Sequence, residues 1–117
     1  MALSYERAAA ILKSHLSAGE LERGVAYAAE KTVAARATLK FPRLSIRVPW
    51  EAYLAFVDRN PMANWGHSCR YLLIRCQSGE VQSFEAQFPP FSQSRDLRWH
   101  VVYKAPSVPE SMLAVRD

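Results

Sequence analysis

Thiol and imidazole chemistry converge on one short stretch of this 117-residue chain, Asn64-Trp65-Gly66-His67-Ser68-Cys69, with a further histidine at His100. A thiol hydrolase needs a thiolate, a histidine within hydrogen-bond reach and an exposed cleft. Cys69 with His100 is the only such pair worth naming. No glycine-rich oxyanion loop follows Cys69, and Arg70-Tyr71-Leu72-Leu73-Ile74 reads as sheet rather than as a helix start that would acidify a thiol. Free cysteine is among the most buried residue types, so the expectation is an inert thiol, with a cysteine-dependent hydrolase as a second alternative.

Metal and cofactor chemistry find less. Structural zinc sites use paired spacings such as C-x2-C; His67-x-Cys69 is one short pair without a second, and Cys76 falls at the far end of the same strand. The four glycines are not clustered, which leaves no phosphate loop. Gly66-His67-Ser68-Cys69 lacks the second glycine and following helix of a serine nucleophile elbow. Glu80, Glu85 and Asp58 read as solvated or capping carboxylates. No metal, no cofactor and no enzyme activity are expected.

Binding residues remain. Trp65 sits among Asn60, Pro61, Asn64 and Gly66, and tryptophan in such a loop suits an interface anchor. Phe88-Pro89-Pro90-Phe91 places two aromatics around a rigid turn. Trp65, His67 and Phe91 are therefore the candidate partner-binding set. The competing reading folds the same aromatics back onto the core.

These residues need elements to hold them. Tyr71–Ile74 leaves no polar face, so 69–76 is expected as a central strand covered on both sides. Cys69 and Cys76 then point to opposite faces about 23 Å apart at 3.3 Å per residue, too far for a disulfide; reduced thiols suit the cytoplasm. Upstream, Ser4 caps a helix over 4–18, with Ala8, Ile11, Leu12, His15 and Leu16 on one face. Leu21, Val25, Ala28, Ala29, Thr32 and Val33 predict a second helix over 20–38, joined to the first as a hairpin through Ser17-Ala18-Gly19. Leu44, Ile46 and Val48 alternate as a strand. Pro49 followed by Trp50, Tyr53, Leu54 and Val57 predicts a third helix over 49–59. Strands follow over 81–88 and 97–104, which with 69–76 should form an antiparallel meander. Residues 105–117, with Pro106 and Pro109, read as a partly extended C-terminal tail.

The predicted class is α+β: a four-stranded antiparallel sheet with a helical hairpin and a third helix, in the order α-α-β-α-β-β-β, forming one domain over 1–117. Half the residues are hydrophobic and 22% charged, enough for a core of its own. No apolar run approaches the roughly 18 residues of a membrane helix. Met1-Ala2-Leu3-Ser4-Tyr5-Glu6-Arg7 lacks the start of a signal peptide, so a cytoplasmic location is expected.

Net charge is +4, which favours a polyanion or an acidic protein surface as partner. If the apolar sets of the alternating strands share one core, the opposite side of the sheet carries Arg43, Arg47, Arg98, His100 and Lys104. The leading expectation is a small non-catalytic protein-binding module: an adaptor, regulator or inhibitor. The alternative is a nucleic-acid-binding protein that uses this basic face.

Overall fold

Ser4 opens the first helix, α1 (Tyr5–Ser14), with its hydroxyl accepting the Arg7 N–H, and Glu6 and Lys13 complement the dipole at the two ends. Ser17 and Glu20 then form a reciprocal capping box at the start of α2 (Ala18–Arg23). The computed structural model describes residues 2–115.

Helix α2 stops after six residues. Gly24 caps it, and a Cβ there would lie 2.8 Å from the carbonyl oxygens of both Glu20 and Asp58. The chain then runs straight into β1 (Val25–Val33). The helix predicted over 20–38 is thus a short helix and a long strand. The helical spacing of Val25, Ala28, Ala29 and Val33 misled because β1 is buried on both faces: Val25, Tyr27 and Ala29 enter one core, and Ala26 and Ala28 the other. Its first five residues, Val25–Ala29, are apolar on both faces and satisfy a helical template as well as an extended one.

The predicted third helix fails for the same reason. β4 (Ala52–Asp58) is buried along its whole length and is the middle strand of a five-stranded antiparallel sheet, ordered β6-β5-β4-β1-β7. β5 (Cys69–Arg75) is an interior strand, as expected, but one place from the centre. β6 (Val81–Ala86) forms one edge, so β4, β5 and β6 are the meander. β7 (Trp99–Lys104) does not pair with β6. It crosses to the far edge and pairs with β1, setting Tyr27 against Val101 and Ala28 against His100.

The remaining two strands, β2 (Thr38–Phe41) and β3 (Leu44–Arg47), form a separate hairpin. It lies on one sheet face, where Phe41, Ile46 and Val48 bury against the cluster of Tyr27, Leu54, Phe56, Tyr71 and Leu73. Helix α1 covers the other face. Its Ala8 and Leu12 pack over Ala26, Ala28 and Ala55, and the small alanines let the helix approach at close-packed density. The architecture is therefore α+β with a small helical part and a large antiparallel sheet.

Cys69 and Cys76 fall in the two different cores. After β7 the chain turns back: Ala105 and Val108 are buried, and the Ala114 N–H donates to Tyr27 Oη at 3.0 Å. The end of the tail, residues 116–117, lies outside the described residues. Among the described residues no helix is long and apolar enough to cross a membrane.

Candidate functional site

The loop between β4 and β5 is built from its two ends. Asp58, the last residue of β4 and 5% exposed, accepts the Asn60 N–H at 3.0 Å and faces His67 Nε2 at 2.7 Å through the same oxygen. The other ring nitrogen, Nδ1, lies 2.8 Å from the Asn64 carbonyl. Each ring nitrogen thus faces an oxygen acceptor, one from the end of β4 and one from the loop itself. The ring sits between these two oxygens, with 11% of its side chain exposed.

Trp65 lies on that ring. The centroids are 4.4 Å apart and the planes 17° apart, and a second edge of the indole meets Phe56 at 6.1 Å. Gly66 makes the stack possible. Its φ of 98° turns the chain between the two rings, a conformation that glycine alone adopts readily, and its N–H donates to the Gln87 carbonyl at 3.2 Å. Trp65 nevertheless remains 43% exposed, and Met62 in the same loop is 61% exposed.

Arg59 clamps the loop base. Its guanidinium donates to Ser68 Oγ at 2.7 Å across the loop mouth, to both oxygens of Glu85 on β6, and to Glu20 Oε2 at 3.0 Å. Glu20, 3% exposed, also receives Arg70 Nη2 and Nε. Burial pushes the Glu20 carboxyl up, but hydrogen bonds from Arg70, the Ser17 N–H and Arg59 outweigh it and hold it below its usual range. Glu85 is likewise held low, chiefly by Arg59. Sequence reasoning missed this network because its members are 39 and 50 positions apart. Its one readable local signal was the Ser17-x-x-Glu20 capping box.

Phe91 is half-buried against Tyr27, Phe56 and Trp99, with ring centroids 4.9, 5.6 and 5.2 Å away. It borders a shallow cavity of about 280 Å³ shared with Arg95, Trp99, Ala114 and Val115. Phe56 touches both Trp65 and Phe91, so one buried ring supports both predicted anchors.

The structure does not bring Cys69 and His100 together. Three inter-strand steps separate β5 from β7, about 14 Å at 4.8 Å each. Cys69 points into the core beneath the hairpin, whereas the His100 ring meets Tyr5 of α1 at 5.5 Å and Glu30 at 2.9 Å. Burial pushes the Cys69 thiol up to about 12, with the nearby Asp58 carboxylate adding to the shift. Among the described residues no three His, Cys, Asp or Glu side chains are grouped to hold a metal ion.

The expected basic sheet face does not form, because β3 belongs to the separate hairpin. Arg43 sits at the hairpin tip with its guanidinium over the Phe88 ring at 5.9 Å, and Arg47 is exposed on β3. Arg98 takes φ 60° just before β7, on which His100 faces the α1 layer. Lys104 Nζ donates to the Val108 carbonyl at 2.7 Å.

No protein-family model matches the chain. No curated protein and no solved structure matches it either.

Proposed function

We propose that the chain is a non-catalytic protein-binding module that docks a partner protein on the 59–68 loop, with Met62 and Trp65 as the apolar contacts. The observation that carries this reading is that Trp65 is 43% exposed yet already held, stacked on a histidine whose two ring nitrogens lie 2.8 and 2.7 Å from the Asn64 carbonyl and the Asp58 carboxylate. An exposed indole that served only to cap the core would need no such support. Pre-ordering removes about 0.5–1.5 kcal/mol of the cost of immobilising a side chain on binding. Tryptophan is enriched among residues whose truncation costs at least about 2 kcal/mol. The Cys69–His100 separation takes away the pair on which a cysteine-dependent hydrolase would rest.

The test is affinity capture from the protein's own cell extract with wild type and Trp65→Ala in parallel, quantified by mass spectrometry. A partner enriched by wild type should fall about 30-fold with the variant, which corresponds to roughly 2 kcal/mol, while the variant stays folded with a stability loss of about 1 kcal/mol or less. The same enriched set from both proteins would end this reading.

A further inference from the structure

Residues 34–50 contain Arg36, Lys40, Arg43 and Arg47 and no aspartate or glutamate. The chain has 15 basic and 11 acidic residues. Removing these four from the fifteen leaves eleven of each sign, so the hairpin segment carries a charge equal to the whole net charge. All four are exposed, and none enters an ion pair among the described residues. The register sets Thr38 opposite Arg47 and Lys40 opposite Ser45. One face of the ribbon is therefore two cations and two hydroxyls, while Phe41 and Ile46 fasten the other face to the sheet.

Backbone strain marks the same place. The described non-glycine residues with positive φ are Arg36 (71°), Arg43 (58°) and Arg98 (60°), all arginines. The first lies in the turn before β2 and the second at the hairpin tip. Pro42-Arg43 has the pattern of a type II turn, whose second central position normally takes glycine. The charged side chain is present where the backbone alone favours glycine.

We propose that the β2–β3 hairpin binds the phosphate backbone of nucleic acid through Lys40 and Arg47 on its outer face, with Arg36 in the turn before β2 and Arg43 at the tip adding charge beside them. Serine and threonine hydroxyls are phosphate donors alongside arginine and lysine, which accounts for Thr38 and Ser45 completing the face. A two-stranded ribbon is narrow enough to enter the major groove of B-DNA, about 12 Å wide. The outer face offers no apolar side chain to insert into a lipid interface and no aromatic anchor for a protein surface. With no base-reading amide or stacking ring on it, the ribbon recognises charge rather than sequence. The hairpin tip adjoins the 59–68 loop, since Arg43 and Ser68 line one pocket, but its cations are distinct from Met62 and Trp65, the apolar contacts proposed there.

The experiment titrates the full chain against a labelled 20-base-pair DNA duplex, a matching RNA duplex, and vesicles containing phosphatidylserine, at several salt concentrations. Wild type should bind at least one duplex with a log–log salt slope of about −3 to −4, as four neutralised phosphates require. Lys40→Ala with Arg47→Ala should make the slope shallower by about two. Arg7→Ala with Lys13→Ala, the same charge loss on α1, should leave affinity near wild type. Arg43→Gly should weaken binding while the melting temperature holds, since glycine accepts that backbone freely. The proposal is overturned by no duplex binding at low salt, by equal loss in both double variants, or by hairpin-dependent binding to vesicles alone.

Discussion

Glu20 and Arg70 meet across fifty positions of sequence in a two-point contact, Nη2 to Oε1 at 2.8 Å and Nε to Oε2 at 2.9 Å. The pair ties the first turn of α2 to β5, and Arg59 on the same carboxylate extends the tie to the 59–68 loop. Breaking a buried ion pair from one side strands the other charge, which costs about 3–5 kcal/mol. Glu20→Gln keeps some hydrogen bonding, so a loss near 3 kcal/mol is expected at neutral pH.

The same carboxylate sets an acid limit. The folded Glu20 carboxyl is held below its ordinary 4.5. Its contribution is therefore fully present above that value and is lost as pH falls through the lower folded value. Thermal melts from pH 7 to 3 should show wild type losing more stability on acidification than Glu20→Gln. Parallel acid profiles would show that the ion pair is energetically idle.

Trp99 and Trp65 should part company in stability. Trp99 is buried, and its indole N–H donates to the Ser94 carbonyl and hydroxyl at 3.1 Å each. Trp99→Ala should cost about 3–5 kcal/mol. Trp65→Ala removes one stack on an exposed loop and should cost about 1 kcal/mol or less. Chemical denaturation of both variants decides it, and equal losses would contradict the division between core and display.

Both thiols should be unreactive in the folded protein. Burial raises Cys69 to about 12 and also raises Cys76, so little thiolate exists near neutrality. Iodoacetamide at pH 8 should label neither until urea is added. Air oxidation should yield no Cys69–Cys76 bridge, because the two lie in separate cores.

Gly24→Ala should cost about 1–3 kcal/mol through overpacking. The added methyl would lie 2.8 Å from two backbone carbonyls, and neither can move without shifting the turn into β1 or the end of β4. A normal denaturation midpoint would show that this junction has slack.

Much of the local structure is legible in the chain. Ser4 and the Ala8/Leu12 stripe gave α1 its true start and face. Tyr71–Ile74 gave β5 as an interior strand. What was lost follows from double burial. Val25–Ala29 of β1 and the whole of β4 are buried on both faces, so they show no polar side to mark a period of two, and alanine under a helix reads as helix. Gly24 falls inside the helix predicted over 20–38 and is the end of α2. The site was half visible: Trp65 and His67 stand out by residue type. Asp58, which faces His67, becomes its neighbour only through the β4–β5 register that pairs Asp58 with Cys69. The positive surface was misplaced because strand alternation says which residues share a face, not which sheet a strand joins.

The pairing of β1 with β7 also has a consequence in time. Synthesis proceeds at about 5–20 residues per second. The gap between Val33 and Trp99 therefore holds β1 without its outer neighbour for several seconds on the ribosome. The unpaired edge carries Tyr27, Ala28 and Ala29, an apolar template for other chains. Closing it requires the longest-range strand contact of the sheet, which places β7 docking late in folding. A nascent chain stalled before Trp99 would be the aggregation-prone species, and its need for chaperone protection should end when β7 emerges.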